Sequence, residues 1–206
     1  MGRTVVMLGM ACALSCLLLT ATCARGAPAD AARQALLAGD FFLAAKLYAP
    51  LAHQGDAEAQ FQLASMYDEG EGVIEDEQEA LKWYRLAAEQ GHAPAQAALG
   101  AAYGAGRGVT RDLAAAARWD RLAALQGHAQ AQFDLAWLYR SGDGVTLDNE
   151  RAYQWFDLAV GIAPEPRRSL YKNAREGLAR DMTPLQIERA QRAAVQCRKS
   201  GFKLCL

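Results

Sequence analysis

Three tracts of this 206-residue sequence repeat at a step of 36 residues, and a chain with that period has very few folds open to it. Tyr67, Tyr103 and Tyr139 are equally spaced, as are Trp83, Trp119 and Trp155. The pairs Gly70/Gly72, Gly106/Gly108 and Gly142/Gly144 keep the step, each followed by a valine (Val73, Val109, Val145). So do Asp76, Asp112 and Asp148, and so do Gly55, Gly91 and Gly127. A unit this short cannot bury its apolar face alone and must stack against copies of itself. Abundant alanine and few β-branched residues make the stacked units helical.

Within the first unit, Ala59, Leu63, Ala64 and Tyr67 fall on one face of a helix. Gly70-Glu71-Gly72-Val73 ends it, because glycine accepts the positive φ of a tight reversal. Asp76 is placed to cap the next helix, and Glu79 three residues later predicts a capping box. Ala80, Trp83, Tyr84, Ala87 and Ala88 form the second stripe before Gly91. The later units keep the scheme with Ala95, Leu99, Gly100, Tyr103, Ala116, Trp119 and Ala123, then Ala131, Leu135, Ala136, Tyr139, Ala152, Trp155 and Ala159. Alanines opposite the rings let neighbouring helices approach closely.

The flanks are looser. Residues 1–26 read as a secretory signal: Arg3, an apolar or small run from Val5 to Leu19, then small residues near Ala24 and Gly26. The run is short of the ~20 residues a stable span needs, so any membrane contact would come through an uncleaved or lipidated N-terminus. Residues 27–55 form a degenerate helix pair, with Gly39-Asp40 in place of the glycine-x-glycine loop. The repeats occupy 56–91, 92–127 and 128–161, and residues 162–206 supply capping helices and a tail. There Pro164 and Pro166 interrupt the array, and Thr183-Pro184-Leu185-Gln186 predicts a strong helix start. Cys12, Cys16 and Cys23 lie in the signal; Cys197 and Cys205 would remain, and in an exported protein they suggest a disulfide. Two unpaired thiols on a tail are the other reading.

The combination of Ala-Gln, Leu-Gly/Ala, Tyr, Gly-x-Gly-Val, Asp, Ala and Trp at 36 residues resembles the Sel-one-like repeat family, relatives of the tetratricopeptide repeats. The resemblance covers Asp56 to about Gly161. It implies an all-α fold, an α/α solenoid or superhelix of stacked helix-turn-helix repeats, whose usual role is binding other proteins. Bacterial members are often exported, which implies a periplasmic location. One exported branch with a cysteine pair in nearly every repeat is linked to penicillin binding or β-lactamase activity. This chain carries no cysteine in its repeats, so a hydrolase is the disfavoured alternative.

Chemistry-bearing residues are few. With 22 basic and 23 acidic residues and a net charge of -1, the chain lacks the basic excess that phosphate binding needs, so nucleic acid is not expected. His92 and His128 occupy equal positions in successive units, on the order of 10 Å apart and too far to share one zinc ion. Ser169-Leu170-Tyr171-Lys172 fits Ser-x-x-Lys, but the Ser-Asp-Asn and Lys-Thr-Gly partners are missing. No cofactor, metal or small-molecule substrate is indicated, and no enzyme. An acidic cluster from Asp68 to Glu79 crowds the first loop, whereas the second loop carries Arg107 and Arg111; the cluster is a wet surface or a polarised one that steers a basic partner.

If the family's concave surface carries over, first-helix residues off the Leu-Tyr stripe line it. Those are Glu58, Phe61, Ser65, Asp68 and Glu69, then Pro94, Ala97, Ala101, Gly104 and Ala105, then Gln130, Phe133, Trp137, Arg140 and Ser141. Phe61, Ser65, Asp68, Phe133, Trp137 and Arg140 are the candidate partner contacts, since aromatic and arginine side chains most often anchor interfaces. Phe133 and Trp137, one turn apart, either face the partner or pack beneath the C-terminal cap.

Overall fold

The computed structural model describes residues 28–205, so the expected signal segment lies outside the described residues. Ten helices follow one another there, with no strand among the described residues. A helix over residues 28–37 (α1) precedes α2 (Phe41–His53), α3 (Ala57–Glu69), α4 (Glu77–Glu89), α5 (Ala93–Ala105), α6 (Leu113–Ala124), α7 (Ala129–Ser141) and α8 (Asn149–Ile162). Two further helices, α9 (Arg167–Ala179) and α10 (Pro184–Lys199), close the end, both packing on α8. From α2 to α8 each helix packs on its sequence neighbours, which is the contact pattern of a solenoid. None of the described helices is long and apolar enough to cross a membrane.

Each repeat begins where a side chain takes the place of the missing helical acceptor. Asp40, Asp76, Asp112 and Asp148 cap the second helices, accepting amide bonds of 2.9–3.0 Å. Asp56 caps α3 in the same way at 2.8 Å. At α5 and α7 the cap is an imidazole: Nδ1 of His92 and of His128 accepts from the amides of Ala95 and Ala131 at 3.3 Å. The capping box expected at Asp76 and Glu79 is only half made. Asp76 accepts from two amides, but the Glu79 carboxylate turns to the Lys82 ammonium at 2.9 Å. Either bond open to that carboxylate is charge-assisted, and the ammonium adds a full opposite charge to its donor, so Lys82 wins. At Thr183 and Gln186 the cation three residues on, Arg189, is engaged with Glu150, and both bonds of the box form.

The second glycine of each turn sets the distance between units. A β-carbon on Gly72 would collide with the backbone of Phe41, one on Gly108 with Glu77, and one on Gly144 with the backbone of Leu113. Phe41, Glu77 and Leu113 are the first residues of α2, α4 and α6, so every turn lies on the helix start of the unit before it.

Glutamine joins the layers inside the core. Gln60, Gln96 and Gln132 are buried, and each donates Nε2 to a carbonyl at the end of the preceding helix: Ala52 at 3.1 Å, Ala88 at 3.0 Å and Ala124 at 3.0 Å. Their own oxygens accept from Gln90 at 2.7 Å and Gln126 at 2.8 Å. Thirty-six residues past Gln126 stands Ile162, which has nothing to donate, and Oε1 of Gln132 is left without a partner. At the C-terminal end Asp157 of α8 pairs with Arg175 of α9 and with Arg198 of α10 at 3.1 Å. Cys197 and Cys205 are joined by a disulfide that folds the tail back on α10.

The glycine contact gives a test with an internal control. Gly144→Ala meets both a positive φ of 71° at its turn and a backbone collision, and a chemical denaturation series should show a loss of about 2–5 kcal/mol. Gly91→Ala has the positive φ (88°) but nothing within 4 Å, and the loss should be about 1–2 kcal/mol. Equal losses would mean that the turns do not set the spacing.

Candidate partner-binding groove

The four helix pairs share a register, and reading across it exposes the site. Tyr48, Tyr84, residue 120 and Phe156 are equivalent positions on α2, α4, α6 and α8, all buried. Three are aromatic; the fourth is Asp120, 3% exposed. Position 100 departs in the same unit, with glycine where the neighbours have Ala64 and Ala136. A β-carbon on Gly100 would run into the Asp120 carboxyl, so the two departures fit each other. Where a ring would stand, a cavity of about 360 Å³ opens between α5, α6 and α7. Gly100, Ala101 and Gly104 form one wall, Leu113, Ala116 and Asp120 the floor, and Asp134, Trp137 and Leu138 the other wall.

Both acids are perturbed by burial. It pushes the Asp120 carboxyl up to about 8, with the charge of Asp134 adding to the effect. It pushes Asp134 up to about 6 against the bond that Gln130 donates at 2.9 Å. Gln130 in turn accepts from the Tyr171 hydroxyl at 2.7 Å, so cap helix α9 orients a wall of the groove.

The residues singled out in the sequence fall into two groups. In the first unit they are occupied internally. Phe61 packs against Tyr84 and His92 at ring separations of 5.8 and 4.9 Å, Ser65 lowers the pKa of the Tyr84 phenol against the larger rise from burial, and Asp68 pairs with Arg107 at 3.1 Å. In the third unit the two aromatics part company. Phe133 stacks on Tyr171 of the cap at 4.2 Å and also meets Phe156 at 5.4 Å. Trp137 sets its edge on Phe156 at 5.6 Å but keeps 41% of its surface in solvent, beside the cavity. Arg140 lies over the indole at 4.9 Å and reaches Asp181 at 3.9 Å. Ala101 and Gly104 line the same cavity as Trp137. Asp120 and Asp134 were not foreseen, although the break in the Tyr/Tyr/Asp/Phe register is visible in the sequence.

The other candidates resolve locally. The Ser169 hydroxyl donates to Glu165 at 2.9 Å and the Lys172 ammonium sits 3.8 Å from Glu176, so neither addresses the other. Burial, and then the charge of Arg167, lowers the pKa of His128, which suits its work as a neutral cap.

The sequence profile of the Sel1 repeat matches residues 57–92, 93–128 and 129–160, together half of the chain. The chain belongs to the Sel1 repeat family. It is similar to a Sel1 repeat protein from Oxalobacter formigenes at 36% identity, over 61% of this chain and 95% of that one, with a TM-score of 0.55. It is also similar, at 28% identity and a TM-score of 0.56, to a protective antigen of uropathogenic Escherichia coli that displays an SLR fold. That match covers 77% of this chain and 42% of the antigen, less than half of its length. No curated protein matches the sequence. Sel1 repeats generally mediate protein–protein interaction, and nothing in these likenesses favours a hydrolase.

Two outcomes follow for this Sel1 repeat chain. Phe133→Ala should cost about 2 kcal/mol or more in a denaturation series, because it empties a stacked position under the cap, and Trp137→Ala about half as much. The reverse order would place Trp137 in the core. The pH dependence has a definite sign. Asp120 and Asp134 have folded-state values above the unfolded ~3.9, so their contribution is complete below about pH 4 and is lost as pH rises through about 6 and about 8. His128, lowered instead, acts oppositely: its contribution is complete above about 6.5 and lost as pH falls below that. Melting temperatures should therefore fall between about pH 6.5 and pH 8 in the native chain and fall less in Asp120→Asn. An unchanged slope in that variant would remove Asp120 as the cause.

Proposed function

We propose that the chain is an exported protein-binding module, working in the periplasm of a bacterium, that holds its partner in the groove between the first helices of the second and third repeats. The observation that carries this reading is Trp137, a large ring left 41% exposed at the rim of a cavity and steadied by Phe156 beneath it. A rigid aromatic anchor beside a preformed depression binds with little ordering cost on its own side. The small residues Ala101 and Gly104 opposite it leave room for an incoming segment. Export is supported by the signal-like residues 1–26 and by the Cys197–Cys205 disulfide, a bond that persists in oxidising compartments.

The test is a photo-crosslinker placed at position 137 in intact cells, with the exposed Leu122 of α6 as the control position. A discrete adduct from 137 and none from 122, recovered in the periplasmic fraction, is the expected result. Adducts alike from both positions, or none from 137, would sink the groove reading; an adduct found only in the cytoplasm would sink export.

A further inference from the structure

We propose that the cavity between α5, α6 and α7 receives a lysine or arginine side chain of the bound protein. This rests on the groove reading above and deepens it from a location to a chemistry.

Four observations converge on a cation. The first is the register: an acid occupies a buried position where the other three helix pairs carry a ring, and Gly100 makes room for it. A mere loss of the ring would leave an apolar hole; a carboxyl in its place costs stability unless something meets it. The second is that Asp120 is 3% exposed, lines the cavity, and has no hydrogen-bond partner for Oδ1. Buried polar atoms are nearly always satisfied, so a carboxyl this deep, with Oδ1 set against Gly100 and unpaired, is one that lacks its donor. The third is Asp134 on the facing wall, held in place by the Tyr171–Gln130 bonds. The fourth is that the nearby bases are engaged elsewhere. Arg111 donates to the Gly104 carbonyl at 3.0 Å, and Arg140 lies over Trp137 toward Asp181.

The rest of the lining suits the stem of such a side chain. Leu113, Ala116, Trp137 and Leu138 give an apolar path of the kind along which lysine and arginine lay their methylenes, with the charged head at the acids. The volume, about 360 Å³, would hold about a dozen waters at liquid density, so it admits a side chain with its hydration partly kept. Two carboxyls fall short of the six to eight oxygens that calcium takes, and no third acidic, histidine or cysteine ligand joins them among the described residues. The cavity opens beside the exposed indole, so a side chain projecting from a bound segment can reach it without leaving the groove.

The acids also make the docking sensitive to pH. The one charge that acts on Asp120 is Asp134 from α7; α5 presents only Gly100, Ala101 and Gly104 to it, and α6 itself presents Leu113 and Ala116. With the cavity empty, the two carboxyls hold protons more firmly than free ones do. An entering ammonium or guanidinium favours the ionised forms, and the displaced protons leave to solvent. Binding therefore strengthens as pH rises from about 6 to about 8.

The test uses the purified full chain labelled with 5-fluorotryptophan, with the Trp137 fluorine signal assigned from Trp137→Phe. The probes are Nα-acetyl-lysine methylamide and its uncharged norleucine counterpart. The lysine probe should move the Trp137 signal saturably, at least about tenfold more tightly than norleucine. Asp120→Asn and Asp134→Asn should each weaken it by about fivefold or more, and its affinity should rise with pH. The buried Trp83 and Trp155 signals report whether each variant is folded. Equal binding of both probes would overturn the basic side chain while leaving an apolar groove intact. No saturable shift from either probe would overturn this inference alone, since the crosslink from position 137 judges groove binding independently.

Discussion

Where a turn lies directly on another helix, neither side can give way, and this molecule makes that contact once per unit. Gly72, Gly108 and Gly144 rest on the first residues of α2, α4 and α6 with no side chain between. The contact holds the turn, the turn aims the aspartate cap that follows it, and the cap starts the next helix. Once the start of each second helix is fixed, the alanine faces have one way to meet and the rings one gap to fill. The buried glutamines act on the other side of the same layer. They tie each first helix to the carbonyl end of the helix before it, through bonds that are satisfied in two units and leave one oxygen orphaned in the third. Glycine sets the spacing and glutamine sets the register.

Much of this was open to inspection in the sequence. The 36-residue period, the left-handed turn glycines and the aspartate caps are local features, and each is the same in every copy. The helix start at Thr183 was legible for the same reason, since its box closes within four residues. What could not be read locally was decided by partners distant in sequence. Glu79 is the exception, because its rival for the box, Lys82, stands only three residues on and was as legible as the box itself. Gln60, Gln96 and Gln132 were visible as a recurring pair with alanine, yet only the stacked layers show why an amide belongs in a core. Phe133 and Trp137 look alike from the sequence; the position of Tyr171, 38 residues beyond Phe133, sends one ring under the cap and leaves the other in water. Asp120 was legible in principle. The repeats share their scaffold residues, whereas the site lies where one of them differs.

The second repeat is the unit with the fewest large side chains on its groove face, with Ala97 and Ala101 where its neighbours have Phe61 and Ser65 or Phe133 and Trp137. It also carries the buried acid. A solenoid can accommodate such a unit because stability is shared between neighbours, so one weakened layer is supported from both sides. A middle position is therefore the place where a cavity and an unpaired carboxyl destabilise the fold least in proportion to the surface they create.

The closure at α9 and α10 has a consequence beyond holding α8 in place. A stack whose last layer resembles the others presents a surface shaped for one more layer, and a second molecule could supply it. Asp157 binds arginines from both closing helices, and Leu178, Ala190 and Ala194 cover the apolar side that α8 would otherwise offer. Repetition along one axis is the geometry from which fibres grow, and the closing helices take away the free end that growth requires.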